Sequence, residues 1–241
     1  MSLRARLAEV QLAVMLLTRL PAGQTFGAVP ELVAARWAFP AVGALIGGLT
    51  WAGFAGAAAL GAPPAIAALL ALALLALLTG ALHFDGLADY ADGIGGGRDR
   101  AHALEIMRDS RIGSYGVLAM IVVAGLWAVS VAEAAPGPLD FIVAAVLSRA
   151  AMVALQEALP PARADGMGRR AAGRSRAARC VLAILALVAL VLWPWPLLAC
   201  GLVTALIGWQ ARRRIGGQTG DVLGAAQLVS ETAIWVTLAC L

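Results

Sequence analysis

The sequence predicts an all-α polytopic membrane protein with about seven transmembrane helices and an N-terminal amphipathic interfacial helix, in one domain over 1–241. Hydrophobic residues make up 61% of the chain. Charged residues make up 13%, against about 25% in a typical soluble domain. The apolar runs are long and rich in Ala, Leu and Val, without the ten-residue alternation of a β-barrel. Helices are therefore the structure that satisfies the backbone in lipid.

The N-terminal segment, 1–36, is predicted to lie at the membrane interface. Its first twenty residues carry Arg4, Arg6 and Glu9, followed by a short apolar stretch that ends at Arg19. This pattern is typical of an interfacial helix rather than a span or a cleaved signal. A hydrocarbon core of about 30 Å needs roughly 20 residues per helix. The spans predicted on this basis are 39–60, 63–83, 112–133, 139–159, 179–193, 195–211 and 221–240.

The arginines indicate the orientation of these spans. With alternating crossings, 17 of the 18 Arg fall on one side, which the positive-inside rule makes cytoplasmic. The segments 84–111 and 160–179 are then cytoplasmic loops. This asymmetry also explains the formal charge of +4 without a nucleic-acid partner. The remaining one, Arg149, lies within a span, where an anionic substrate group or an ion pair with Glu157 or Glu231 would compensate it.

An acidic run follows the second predicted span. On a helix, Asp85, Asp89 and Asp92 stand at i, i+4 and i+7, so their carboxylates share one face. Three carboxylates repel one another unless a cation lies among them. Ligation by oxygen alone suits Mg²⁺, Mn²⁺ or Ca²⁺, and Mg²⁺ commonly bridges to substrate phosphates. The alternative is a solvated helix end. His83 lies on the opposite side of this helix and is interpreted as a hydrogen-bonding or substrate contact.

Two further segments carry candidate binding residues. Before the third span, the carboxylates Glu105 and Asp109 alternate with Arg108 and Arg111, which favours either metal and phosphate binding or a salt-bridge ladder within a helix. Before the last span comes a glycine-rich run that could bring backbone N–H groups to an anion at a helix N-terminus. Its candidate residues are Gly217, Thr219, Gly220 and Asp221. Asp221 is interpreted either as a metal ligand or as the helix N-cap.

These residues lie in runs that resemble the cobalamin synthase family, the adenosylcobinamide-GDP ribazoletransferases of bacterial inner membranes. The runs are LTRLP (17–21), FPAVG (39–43), HFDGLADYADG (83–93), EIMRDSRIGSYG (105–116), SR (148–149), LPPAR (159–163) and GQTGD (217–221). The resemblance covers nearly the whole chain.

The resemblance implies a Mg²⁺-dependent reaction at the cytoplasmic face of the inner membrane. Adenosylcobinamide-GDP and α-ribazole (or its 5′-phosphate) would give adenosylcobalamin (or its phosphate) and GMP. A metal held by Asp85, Asp89 and Asp92 would neutralise the diphosphate, and one of these or Asp221 would orient or deprotonate the attacking hydroxyl. Arg108 and Arg111 would hold phosphate oxygens.

Other functions stay open at this point. A CDP-alcohol phosphotransferase has the pattern D-G-x-x-A-R, and this chain has Asp89 and Tyr90 where that pattern needs Ala and Arg. A divalent-cation transporter usually places its acids near the bilayer midplane, whereas only Glu231 is deep here. A purely structural subunit leaves the aspartates unexplained. The lipid bilayer is the predicted surrounding, and both homo-oligomerisation and association with other cobalamin-assembly enzymes stay open.

Overall fold

A computed structural model describes residues 2–24, 29–165 and 172–241, and this part of the chain is helical without a β-strand. The longer helices are α1 (Leu3–Leu17), α3 (Phe39–Ala59), α4 (Pro64–Thr79), α5 (Leu82–Gly96), α7 (Ser114–Glu133), α8 (Pro138–Ala158), α9 (Arg176–Leu192), α10 (Pro194–Ile215) and α11 (Gly220–Ala239). Two short helices are α2 (Leu32–Ala35) and α6 (Arg100–Ile106), and a 3₁₀ turn, Arg36–Ala38, joins α2 to α3. The helical membrane fold is as the sequence predicts.

Five helical segments among the described residues are long and apolar enough to cross a membrane: Leu32–Ala59, which comprises α2, the 3₁₀ turn and α3, and the helices α7, α8, α10 and α11. The pair α4 and α5 passes the same test together but is bent by 90°. Helix α9 has 17 residues, about 26 Å at 1.5 Å per residue, and is slightly shorter than a full span. The described helices are thus consistent with the predicted count of about seven without establishing it.

The first helix packs on the membrane bundle through a buried acid. Glu9 is 2% exposed, and its carboxylate accepts hydrogen bonds from Arg6 and from the indole of Trp37. Leu3 and Leu7 are exposed on the same helix. Helix α1 thus combines a buried acid with exposed apolar side chains, and its position at the membrane interface stays a prediction.

Small residues allow helices α3 and α8 to pack closely. A Cβ at Gly43 would lie 2.5 Å from the carbonyl oxygen of Ala145, and one at Gly47 would lie 2.4 Å from that of Phe141. Such close backbone approach is typical of helix association in lipid. Aromatic side chains fill one end of the bundle, where Phe141 packs edge-on against Trp127 and Trp235.

The chain turns sharply between α4 and α5. Gly80 and Ala81 both adopt left-handed backbone conformations, with φ of 62° and 57°. Two such residues in succession end α4 and produce the 90° bend. Helix α5 then contacts the first turns of α7 and α11 and the last turns of α10, so it lies across one end of the bundle.

The arginine-rich segments converge on this same end of the bundle. Arg36 pairs with Glu157 at 2.8 Å, and Arg100 donates to the carbonyl of Ala162 at 3.0 Å. Arg214 donates to the carbonyl of Gly97 at 2.7 Å, beyond the end of α5. Arg169 and Arg170 lie outside the described residues. The contacts agree with the predicted partition of arginines to one side.

The intramembrane Arg149 forms an ion pair with a buried carboxylate. Its side chain is fully buried and lies 3.3 Å from the carboxylate of Glu231. The same carboxylate accepts hydrogen bonds from Trp127, Ser148 and Gln227. Of the two interpretations that the sequence leaves open, the ion pair with Glu231 is formed and compensates the charge of Arg149 inside the bundle, and the substrate contact stays a prediction.

Candidate active site

A glycine crossing brings α5 against the beginning of α11. A Cβ at Gly86 would lie 3.1 Å from the Cα of Gly224 and 3.3 Å from the carbonyl oxygen of Asp221. A Cβ at these distances would push the two backbones apart by a few tenths of an ångström, so glycine favours the close approach. The crossing therefore places the acidic face of α5 beside Asp221, although the two segments are more than a hundred residues apart in sequence.

The carboxylates at this crossing influence one another. Asp85 is exposed and Asp89 is half-buried, one helical turn apart on α5. Burial, together with the negative charges of Asp221, Asp85 and Asp92, raises the pKa of Asp89 to about 7, although Arg163 lowers it in part. The site thus carries more negative charge than the neighbouring arginine offsets, which is the condition that favours binding of a cation.

Asp92 has a different environment from the other two aspartates of α5. Its side chain is buried, and its two oxygens accept hydrogen bonds from the backbone N–H of Gly113 at 2.7 Å and of Gly116 at 2.9 Å. It therefore satisfies free amides at the first turn of α7, where a negative charge is also favoured by the helix dipole. The predicted triplet is not assembled as one metal site, because Asp92 is held by the backbone.

Asp221 lies in a well-defined loop at the start of α11. The cap of this helix is Thr219, whose hydroxyl accepts from the N–H of Val222 and donates to the carboxylate of Asp221 at 3.1 Å. The interpretation of Asp221 as the N-cap is therefore wrong. Arg163 lies 3.4 Å from the same carboxylate and also donates to the carbonyl of Leu104. Both members of this ion pair are largely buried, with side chains 18% and 19% exposed.

Sequence reasoning did not propose Arg163 as a site residue. Its signal was present in the run LPPAR, one of the segments that carry the family resemblance. The structure explains the position, because the backbone at Pro160 and Ala162 pairs with Gln218 through hydrogen bonds of 2.8 and 2.9 Å. This pairing fixes Arg163 next to the loop that precedes α11.

The glycines of that loop serve two different purposes. A Cβ at Gly217 would lie 2.1 Å from the carbonyl oxygen of Pro160, so Gly217 allows the two loops to pair. Gly220 is exposed, with nothing within 4 Å of the position of its Cβ. Space for a ligand at the N-terminus of α11 is therefore next to Gly220 rather than Gly217.

The segment between α6 and α7 is more exposed than its sequence pattern indicates. Helix α6 ends at Ile106, so Glu105 and Asp109 do not stack at i and i+4 on one helix. Asp109 instead pairs with Arg111 at 2.6 Å, which lowers the pKa of the Asp109 carboxyl to about 2. Arg108 pairs with Asp165 at 2.5 Å. Both arginines are thus paired at the surface, and their predicted role as phosphate contacts requires exchange of these carboxylate partners.

His83 does not face the carboxylates. Its side chain is 2% exposed, and neither ring nitrogen has a hydrogen-bond partner among the described residues. Its backbone packs against Gly224. The structure therefore gives His83 an interior position behind the crossing, and the predicted substrate contact is not formed in this arrangement.

The donor set at the crossing fits Mg²⁺ bound together with substrate. Among the described residues, no group of three His, Cys, Asp or Glu side chains is close enough to hold a metal on its own. Mg²⁺ usually takes one or two protein carboxylates and completes its shell with water and substrate phosphates. Asp85 and Asp89, adjacent on one helical face and next to Asp221, provide such an incomplete shell.

The fold and this site define a polytopic helical membrane protein whose acidic and basic side chains meet at one end of the bundle, an arrangement suited to phosphoryl chemistry at a membrane surface. The model of the cobalamin-5-phosphate synthase family matches residues 9–239. The chain belongs to this family of transferases.

Curated relatives are similar in sequence along nearly the full length of the chain. An adenosylcobinamide-GDP ribazoletransferase of Azorhizobium caulinodans is 46% identical, covering 94% of this chain and 93% of the relative. The protein of the same name from Bradyrhizobium diazoefficiens is 42% identical, covering 99% and 95%. One from Rhizobium etli is 40% identical over 94% of each. No solved structure matches the chain.

Proposed function

We propose that this protein is a Mg²⁺-dependent adenosylcobinamide-GDP ribazoletransferase whose site faces the cytoplasm from the bacterial inner membrane. It joins adenosylcobinamide-GDP to α-ribazole or its 5′-phosphate and releases GMP. The proposal is supported by the names of the curated relatives, which give adenosylcobinamide-GDP as one substrate and ribazole as the group that is joined to it. The observation that carries the proposal is the meeting of Asp85, Asp89 and Asp221 with Arg163 at the crossing of α5 and α11.

The reaction requires one bond to form and one to break at phosphorus. A ribose hydroxyl of α-ribazole attacks the phosphate that carries the cobinamide, the bond from this phosphorus to the oxygen of GMP breaks, and GMP leaves with the electron pair. Asp85 and Asp89 would hold Mg²⁺, which would supply electrostatic stabilisation of the diphosphate and of the leaving group. Asp221, which lines a cavity together with Asp85, accepts the hydroxyl proton.

Arg163 is suited to binding a phosphate oxygen in this reaction. Its guanidinium already lies at the site, 3.4 Å from Asp221, and its Nε is buried without a hydrogen-bond partner among the described residues. Arginine binds phosphate through paired N–H donors, and such bonds are stronger where water is excluded. Arg163 therefore replaces Arg108 and Arg111 as the arginine that we assign to the transferred phosphate.

The cytoplasmic orientation rests on where the arginines meet. Helices α3, α7 and α11 begin at the end of the bundle that holds the site, α8 ends there, and the arginine-rich segments of the chain adjoin these helix ends. The positive-inside rule assigns such an end to the cytoplasm. Both substrates then reach the site from the compartment in which nucleotides are made.

Turnover by the purified protein in liposomes tests the proposal. With adenosylcobinamide-GDP, α-ribazole and Mg²⁺, we expect equal amounts of cobalamin and GMP by liquid chromatography. Asp85→Asn and Asp89→Asn should each lower turnover by at least about 10²-fold. A matched control is Asp140→Asn, because Asp140 binds the N–H of Gly137 at the start of α8, at the other end of the bundle.

Three results would contradict the proposal. Release of CMP from a CDP-alcohol, with no product from adenosylcobinamide-GDP, would assign the protein to the other class of membrane phosphotransferase. Full turnover after exhaustive chelation with EDTA would remove Mg²⁺ from the mechanism. Transport of a divalent cation without turnover would exclude an enzyme.

A further inference from the structure

A small cavity opens next to the carboxylates of the site. Its volume is about 250 Å³. One side of the cavity is formed by Asp85, Gly86, Gly220 and Asp221, and most of the remaining lining is apolar and comes from α1, α2, α3 and α8. The cavity therefore joins an apolar compartment to the groups that we assign to phosphoryl transfer.

One polar side chain from α8 lines this compartment. Gln156 is 8% exposed, and its Oε1 is buried without a hydrogen-bond partner among the described residues. Met152, one helical turn earlier, lines the same cavity. A buried amide that lacks a partner is unfavourable unless a ligand supplies one. Gln156 thus indicates that the natural occupant carries a hydrogen-bonding atom at this depth.

We propose that this cavity is the binding site of the nucleoside substrate, a benzimidazole riboside, and that Gln156 recognises its base. The proposal rests on the proposed function and adds the position of one substrate. The base would lie among the apolar side chains. A 180° rotation of the Gln156 amide exchanges Nε2 and Oε1, so that Nε2 would donate to the unsubstituted ring nitrogen from the place of the unpartnered Oε1. The ribose hydroxyl would then be next to Asp221.

The size and polarity of the cavity favour α-ribazole over adenosylcobinamide-GDP as its occupant. Ligand pockets usually range from about 300 to 1,000 Å³, so a cavity of about 250 Å³ holds one small ligand and excludes a corrin ring. Guanine presents several hydrogen-bond donors and acceptors along its edge, whereas the apolar part of the cavity lining offers one side-chain amide, that of Gln156. A benzimidazole has one free acceptor nitrogen and two apolar rings, which matches a single amide in an apolar wall.

Binding of α-ribazole to the full-length protein in lipid nanodiscs, measured by equilibrium dialysis, tests this assignment. Met152→Trp fills the cavity and should weaken binding of α-ribazole at least about 30-fold, with the affinity for adenosylcobinamide-GDP unchanged. The matched control is Ala154→Trp, on the same helix but facing a separate apolar cavity of about 490 Å³ between α8, α9 and α10. This control should bind both substrates as the wild type does.

A ligand analogue isolates the role of Gln156 from any effect on folding. Gln156→Leu should lower the affinity for α-ribazole about tenfold. An indole riboside, in which a C–H replaces the ring nitrogen, cannot accept the hydrogen bond. The wild type and Gln156→Leu should therefore bind this analogue equally.

The outcomes separate this inference from the proposed function. If the wild type makes cobalamin but Met152→Trp and Gln156→Leu both bind α-ribazole normally, the nucleoside site lies elsewhere and the inference fails alone. If the variants weaken binding of adenosylcobinamide-GDP instead, the cavity belongs to the other substrate, and the inference also fails. If the wild type shows neither binding nor turnover of α-ribazole, the proposed function itself fails.

Discussion

Replacement of Asp92 distinguishes a structural carboxylate from a metal ligand. In the structure its two oxygens accept hydrogen bonds from the N–H groups of Gly113 and Gly116 at 2.7 and 2.9 Å. Hydrogen bonds to a charged group contribute about 1.5–3 kcal/mol each, so loss of both in Asp92→Ala lowers the free energy of unfolding by about 3 kcal/mol or more. For a chain of this size, about 2–4 °C per kcal/mol then gives a fall in the melting midpoint of about 6–12 °C.

The assay compares thermal unfolding and Mg²⁺ affinity in the same detergent micelles. Asp92→Asn retains one acceptor oxygen, so its free energy of unfolding should fall by about half as much as that of the alanine variant. Asp85→Ala is the comparison, because Asp85 is exposed and its removal should change the midpoint by less than about 2 °C. In that variant we expect loss of Mg²⁺ binding with stability retained.

The opposite pattern would refute this interpretation. If Asp92→Ala unfolds at the wild-type temperature but no longer binds Mg²⁺, then Asp92 is a ligand, as its spacing on the helix predicts. The bonds to Gly113 and Gly116 would then be a feature of the protein without metal. A parallel measurement on Gly116→Ala helps, because its Cβ would lie 2.4 Å from the Asp92 carboxylate and should destabilise the same contact.

Three further predictions concern the site and the bundle. The pKa of Asp89 is raised to about 7, so a proton competes with Mg²⁺ for this carboxylate below neutral pH. The Mg²⁺ affinity measured by calorimetry should therefore fall up to about tenfold from pH 7 to pH 6. Asp89→Asn should remove this pH dependence. Gly224→Val should separate α5 from α11 and abolish turnover, whereas Gly125→Val, at a position with nothing within 4 Å, should retain wild-type turnover. Glu231→Gln leaves the buried charge of Arg149 uncompensated, so it should lower the free energy of unfolding by about 3–5 kcal/mol. Thermal unfolding would show this as a lower melting midpoint. An unchanged midpoint would show that the ion pair contributes little to stability.

The sequence predicted the apolar helices closely because their length and composition are local properties. The predicted spans 39–60, 139–159 and 221–240 correspond to Phe39–Ala59, Pro138–Ala158 and Gly220–Ala239. The span predicted at 63–83 ends earlier, at Thr79, because two left-handed residues follow it. Nothing in the periodicity of the sequence gives the direction in which the next helix leaves.

The candidate site could be predicted only in part for a related reason. Helical spacing placed Asp85, Asp89 and Asp92 on one face, but it did not show that Asp92 lies opposite the amides of another helix. The pairing of Arg163 with Asp221 and the position of Gln156 beside the cavity depend on contacts between distant segments. Such contacts leave no local pattern in the sequence and are seen only in the three-dimensional structure.

The turn at Gly80 and Ala81 fixes the position of the acidic helix α5 relative to α4. Helix α4 has 16 residues, about 24 Å, and a rigid turn rather than a long linker attaches the acidic helix to it. With the site that we propose, the phosphate bond would be broken at a height above the lipid tails that is set by the length of α4. A bilayer thicker or thinner than α4 would tilt this helix and move the carboxylates of α5, so we expect acyl-chain length to change the reaction rate.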